Sequence, residues 1–188
     1  RDSYGSIWAV GVFIPVAVWT FEPVDARLWL GLNPIDHGGA LVMTVSVGAA
    51  MLAVRVVERK SLIRGPRMRV PDPVGVVAVV LVVLSWIGWL VGAEFAVDSI
   101  AGLIIVNCVV SAIGGVVGWI AVQLIAHGTI SLRSLASGLV TGLIAITAGA
   151  PLFTPVSAAV AGLIAGAVAC VCTVRGGSLL GNQFRFLI

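Results

Sequence analysis

In 188 residues the chain carries 10% charged residues against 60% hydrophobic ones, and its mean hydropathy is +1.15. Water-soluble domains carry about 25% charged residues, so this chain cannot clothe a core in charge, and lipid must solvate most of its surface. The net charge of +3 and pI of 9.2 do not point to nucleic acid, because a sided distribution of loop charges accounts for them.

A spanning helix needs about 20 apolar residues. Six stretches meet or approach that length: 6–21, 38–54, 74–93, 99–126, 132–148 and 155–174. The first and fifth are short, and the fourth is long enough to tilt. The separators are polar or rich in Pro and Gly: Glu22-Pro23-Val24-Asp25 and Asn33-Pro34-Ile35-Asp36, the basic stretch 55–73, Glu94 to Asp98, His127-Gly128-Thr129 and Gly149-Ala150-Pro151. The expected fold class is an all-α integral membrane protein of about six transmembrane helices, forming one polytopic domain over 1–188.

With the start of the chain inside and the sides alternating, 10 of the 11 Lys and Arg residues fall on the inner side and only Arg27 outside. The positive-inside rule then places both termini in the cytoplasm. The expected location is the plasma (inner) membrane. The outer loops carry Glu22, Asp25, Asp36, Glu94 and Asp98. The chain opens on Arg1 rather than Met and shows no signal peptide, which reads as a trimmed or partial chain. Glycines four apart recur on the last four stretches, at Gly88/Gly92, Gly114/Gly118, Gly138/Gly142 and Gly162/Gly166. Small residues at that spacing let helices approach closely in lipid.

Nothing in the sequence reads as an enzyme, a metal site or a cofactor site. Cys108, Cys170 and Cys172 lie in apolar stretches and read as small packing residues. His37 and His127 fall at helix ends on opposite sides of the membrane. Every Asp, Glu, Lys and Arg maps to a loop or a helix end, whereas an ion pump usually needs a charge at mid-membrane. That favours a pathway for a neutral or weakly charged species, or no pathway. Asp36 precedes an apolar helix and reads as its N-cap, a role compatible with concentrating cations at an outer vestibule. Trp19, Trp29, Trp86 and Trp89 read as interfacial anchors, with a cation–π contact at a pore mouth as the alternative.

Four segments together resemble the ammonium transporters. Ile35-Asp36-His37-Gly38-Gly39-Ala40-Leu41-Val42-Met43 is similar to their Asp-Phe-Ala-Gly-Gly-Thr-Val-Val-His. Trp86-Ile87-Gly88-Trp89, followed by Gly92, is similar to their Trp-Phe-Gly-Trp-Phe-Gly-Phe. Ile105-Val106-Asn107-Cys108 resembles their Phe-Val-Asn-Thr, and 137–147 resembles their Ser-Gly-Ala-Val-Ala-Gly-Leu-Val-Ala-Ile-Thr. The matches keep the family's order and nearly its spacing over most of the chain.

The resemblance implies that the six stretches correspond to the fourth through ninth helices of an eleven-helix fold with two inverted halves, which usually forms trimers. The basic loop 55–73 would then join two sub-bundles. It marks Asp36, Met43, Trp89, Gly92 and Ala96 as pore or vestibule positions, and Asn107, Gly38, Gly39, Gly138 and Gly142 as structural ones. It also exposes departures. The family's first pore histidine falls at Met43, whose thioether cannot relay a proton. Its inner gating Phe falls at Gly92 and its vestibule Ser at Ala96. The segment also has one residue fewer between Asp36 and Gly38.

Three readings follow. One is a divergent transporter, or part of one, conducting a small neutral or weakly charged solute such as ammonia. A second is a degenerate transporter-fold subunit with a structural or sensing role in a larger membrane complex. The third is an unrelated small carrier with a shared Ala, Gly and Val bias. The expected partners are the lipid bilayer and either further copies of the chain, a trimer by resemblance, or that larger complex.

Overall fold

The computed structural model describes residues 2–21, 35–58 and 72–179. Among these the secondary structure is helical throughout, in six segments whose limits follow the apolar stretches. We label them α1 (2–21), α2 (40–58), α3 (Asp72–Gly92), α4 (Ser99–His127), α5 (Leu132–Thr147) and α6 (Pro155–Leu179). Most of the basic loop and Trp29 lie outside the described residues, as do Arg1, Arg27 and Arg185.

Three helices, α3, α4 and α6, are long and apolar enough to cross a membrane, which marks an integral membrane protein. The apolar parts of α1, α2 and α5 are shorter. With 16 residues, α5 rises about 24 Å, less than the hydrocarbon thickness of about 30 Å.

Both N-terminal helices contain a π-helical turn, at Ala9–Phe13 and Ala40–Val45. The first lies just before Pro15, which has no N–H for the helix ladder and whose ring crowds the carbonyl four residues back. In the second, hydroxyls stand in for the ladder: Thr44 Oγ1 donates to Ala40 O and Ser46 Oγ to Val42 O.

The tight centre of the molecule is α4, packed against both α5 and α6, which also touch each other. Its buried positions recur at helical spacing from Ala101 through Ile104, Asn107, Cys108, Ser111, Gly114, Gly115 and Gly118. Several of these are small because the helix backbones nearly touch. A Cβ on Gly118 would strike the Leu163 carbonyl, one on Gly166 the Gly115 carbonyl, and one on Gly138 or Gly142 the α4 backbone. Three of the four glycine pairs thus mark true contact seams. The fourth, Gly88 and Gly92 on α3, has nothing within 4 Å of either Cβ position.

Polar caps end the helices. Asp98 accepts from Ile100 N and Ala101 N to start α4. Gly128, at φ 66°, closes α4 in the left-handed conformation. Ser131 and Ser134 form a reciprocal capping box on α5. Thr154 and Ser157 exchange similar bonds before α6.

Candidate functional site

One set of polar groups meets at a corner where α2 begins and α3 and α5 end. Asp36 starts it. Its side chain is buried, and its two oxygens accept from Ala40 N at 2.5 Å and Leu41 N at 2.8 Å. The carboxylate therefore satisfies free amides at the positive end of the α2 dipole. This is the capping role expected from the sequence, reached from further upstream than a simple N-cap. Gly39 occupies the cap position itself, at φ 71°, a conformation that glycine adopts without strain.

The turn before α2 is pinned by backbone bonds to the end of α5. His37 N donates to Ala148 O at 2.7 Å and Gly38 N to Thr147 O at 2.9 Å. Gly38 has no room for a side chain, since a Cβ would collide with the Leu90 side chain and with Thr147. That approach explains the glycine by contact, not by conformation.

Trp86 Nε1 donates to Thr147 Oγ1 at 3.1 Å, and that hydroxyl donates onward to Leu143 O at 2.7 Å. Trp86 therefore ties α3 to α5, a role that the sequence reading as an interfacial anchor did not include. Trp89 leans against it with ring centroids 5.5 Å apart, and remains 38% exposed. The His37 ring lies beside these groups, with Nε2 2.9 Å from Leu90 O and Nδ1 3.9 Å from Glu94 Oε2. The sequence places His37 at a helix end and assigns it no role. A histidine directly after a capping aspartate, in a turn leading to an apolar helix, was the available signal.

Asn107 of α4 acts on the connection that follows α5. It is fully buried, and its amide donates to Ala150 O at 2.9 Å and Phe153 O at 2.7 Å. One side chain of α4 thereby shapes the whole connection from α5 to α6. Its Oδ1 is buried without a hydrogen-bond partner.

Asp36 and the Trp86–Trp89 pair thus flank one corner. Met43, Gly92 and Ala96 are each exposed. A cleft of about 660 Å³ opens between α1 and α2, lined by Trp8, Val12, Trp19, Leu41, Ser46 and Ala50 among others. A smaller groove of about 350 Å³ runs between α4 and α6. Neither includes Met43, Gly92 or Ala96.

The sequence matches the model of the Ammonium Transporter Family over residues 3–182. It is 30% identical over 169 residues to an ammonium transporter of Bacillus subtilis, covering 88% of this chain and 40% of that protein. An ammonium transporter of Mycobacterium tuberculosis is 28% identical over 181 residues, covering 91% of this chain and 37% of the relative. Ammonium transporter 1 of Schizosaccharomyces pombe is 31% identical over 169 residues, covering 87% and 33%. The chain spans about two fifths or less of the length of these relatives.

Proposed function

The chain belongs to the ammonium transporter family, and from that premise we propose that it serves as part of a membrane pathway for a small neutral or weakly charged solute, with ammonia as the leading candidate. The observation that carries this reading is the corner itself. The family-like Asp36-to-Gly39 turn and the Trp86–Trp89 pair, far apart in sequence, meet at one end of the bundle.

In this reading all six helices span the membrane, correspond to the fourth through ninth of the family's fold and place both ends of the chain in the cytoplasm of the plasma membrane. The basic stretch 55–73 joins the two sub-bundles, and the assembled protein is a trimer. Asp36 supports the vestibule through the α2 N-terminus, and Trp89 presents an exposed aromatic face to an arriving cation. Met43, Gly92 and Ala96 are the positions past which the solute moves. None of these three side chains accepts or relays a proton, so a proton released by an ammonium ion must leave by other groups.

The test is reconstitution of the purified protein in liposomes and measurement of radiolabelled methylammonium entry. Uptake that saturates and exceeds that of protein-free liposomes supports the proposal. Uptake no faster than through lipid alone overturns it, and leaves a structural or sensing subunit as the better account.

A further inference from the structure

We propose that His37 is a positioning residue of this corner, fastening the last turn of α3 and thereby setting where Trp89 stands. The inference rests on the functional reading above for its consequence in transport, but its geometry stands alone. At the end of α3 the helical ladder tightens: Glu94 N donates to Val91 O at 3.1 Å rather than to Leu90 O, and Phe95 N donates to Gly92 O at 3.2 Å. Leu90 O is therefore one of the carbonyls that a helix end leaves free. His37 Nε2 lies 2.9 Å from it. A carbonyl only accepts, so Nε2 carries the proton.

The Leu90 side chain is fully buried and lies against Gly38. Leu90 is thus held at both its carbonyl and its side chain by the turn that Asp36 caps. Trp89 is its neighbour in the chain. In its other direction the imidazole faces Glu94, 3.9 Å away. Through His37 the turn before α2 grips the end of α3, close to the backbone bonds from His37 and Gly38 to the end of α5.

The test compares His37→Ala, His37→Gln and Glu94→Gln in the liposome-reconstituted protein. Amide exchange, read by mass spectrometry on peptides covering 91–98, follows the turn directly. His37→Ala should exchange about fivefold faster there, the factor expected for one lost hydrogen bond of ordinary net strength. His37→Gln, which keeps an N–H donor at similar reach, should restore most of the protection, and Glu94→Gln should change little. Unchanged exchange in His37→Ala, or no rescue by glutamine, overturns the proposal.

For transport, the His37→Ala protein should show a raised KM for methylammonium with a smaller change in maximal rate. A fall in maximal rate with KM unmoved would overturn the link to Trp89. If the unmodified protein carries no methylammonium, the functional reading fails, while the exchange data still decide the fastening. If His37→Ala does not fold, ring nitrogen NMR shifts of the unmodified protein decide: an Nδ1-protonated neutral ring would overturn the assignment.

Discussion

Ser111 and Gly142 hold each other twice. The Ser111 hydroxyl donates to the Gly142 carbonyl at 2.7 Å, and the Ser111 carbonyl stands where a side chain on Gly142 would have to go. The same Ser111 carbonyl blocks a Cβ at Gly162 on α6. One residue of α4 is therefore the meeting point of three helices. In lipid the hydrophobic effect gives no drive for helices to associate, so packing and hydrogen bonds of this kind supply the cohesion.

Enlarging these glycines should separate the helices. Gly142→Leu or Gly118→Val should lower stability by about 1–3 kcal/mol, the usual cost of forcing extra carbons into a packed seam, or prevent folding. Gly88→Ala, on the open face of α3, should be neutral or slightly stabilising, because alanine is the better helix former. Thermal melting of the three variants in one detergent would check the contrast. Equal loss at Gly88 would mean that this face is also packed.

Replacing Asp36 by Ala should destabilise the protein by about 0.5–2 kcal/mol, the range for losing a capping side chain, because the amides of Ala40 and Leu41 lose their acceptors. Asp36→Asn keeps one acceptor oxygen and should lose less. Chemical denaturation curves would rank them. If Asp36→Asn were as stable as the parent but failed in methylammonium uptake, the carboxylate charge would matter to the solute and not only to α2.

Asn107 offers a sharper test because its amide clamps two carbonyls. Asn107→Leu should cost about 2–4 kcal/mol, because it leaves the buried Ala150 carbonyl and the partly buried Phe153 carbonyl without their donor. Asn107→Asp, when ionised, has oxygens where N–H donors are required and should be at least as damaging despite its matching shape. Melting temperatures, together with protease sensitivity of the 148–154 connection, would show whether the clamp is the cause.

Phe95 is the one described residue other than glycine with a positive φ, 55°, and its side chain is 96% exposed. Left-handed backbone strains a residue that bears a bulky side chain, and little packing compensates here. Phe95→Gly should therefore stabilise the folded protein by about 0.5–1 kcal/mol, offset in part by the greater freedom of glycine in the unfolded chain. A melting temperature unchanged or lower would show that Phe95 makes a stabilising contact, with lipid or with another copy of the chain.

Much of the helical layout was legible because a membrane makes secondary structure a matter of length and composition. Runs of about 20 Val, Ile, Leu, Ala and Gly between polar breaks are read as helices, since only a helix satisfies the backbone hydrogen bonds of one segment by itself in lipid. The spans expected at 99–126, 132–148 and 155–174 became Ser99–His127, Leu132–Thr147 and Pro155–Leu179. The capping role of Asp36 was equally readable, because an acid just before an apolar helix is placed to accept from the free amides of its first turn. The π-helical turns were not readable, since their ladder shifts by only one residue and leaves the composition unchanged.

The candidate site was legible only in part. Trp86 and Trp89 stood out as aromatics at a helix end, but that Trp86 would bond Thr147 depended on how α3 and α5 lie side by side. The Gly-x-x-x-Gly spacing marked four pairs alike, yet only three became seams. Spacing places small residues on one face but does not say which helix comes to meet it.

By itself the sequence determined that this is a helical membrane protein, roughly where its apolar helices lie, and which family it resembles. These follow from local composition and chain order, which lipid reads directly. Only the tertiary structure decided that Ser111 sits between Gly142 and Gly162, that Asn107 shapes the turn after α5, and that His37 lies against the end of α3. Those pairings join residues distant in the chain, and they depend on helix rotation and depth, for which periodicity carries no signal.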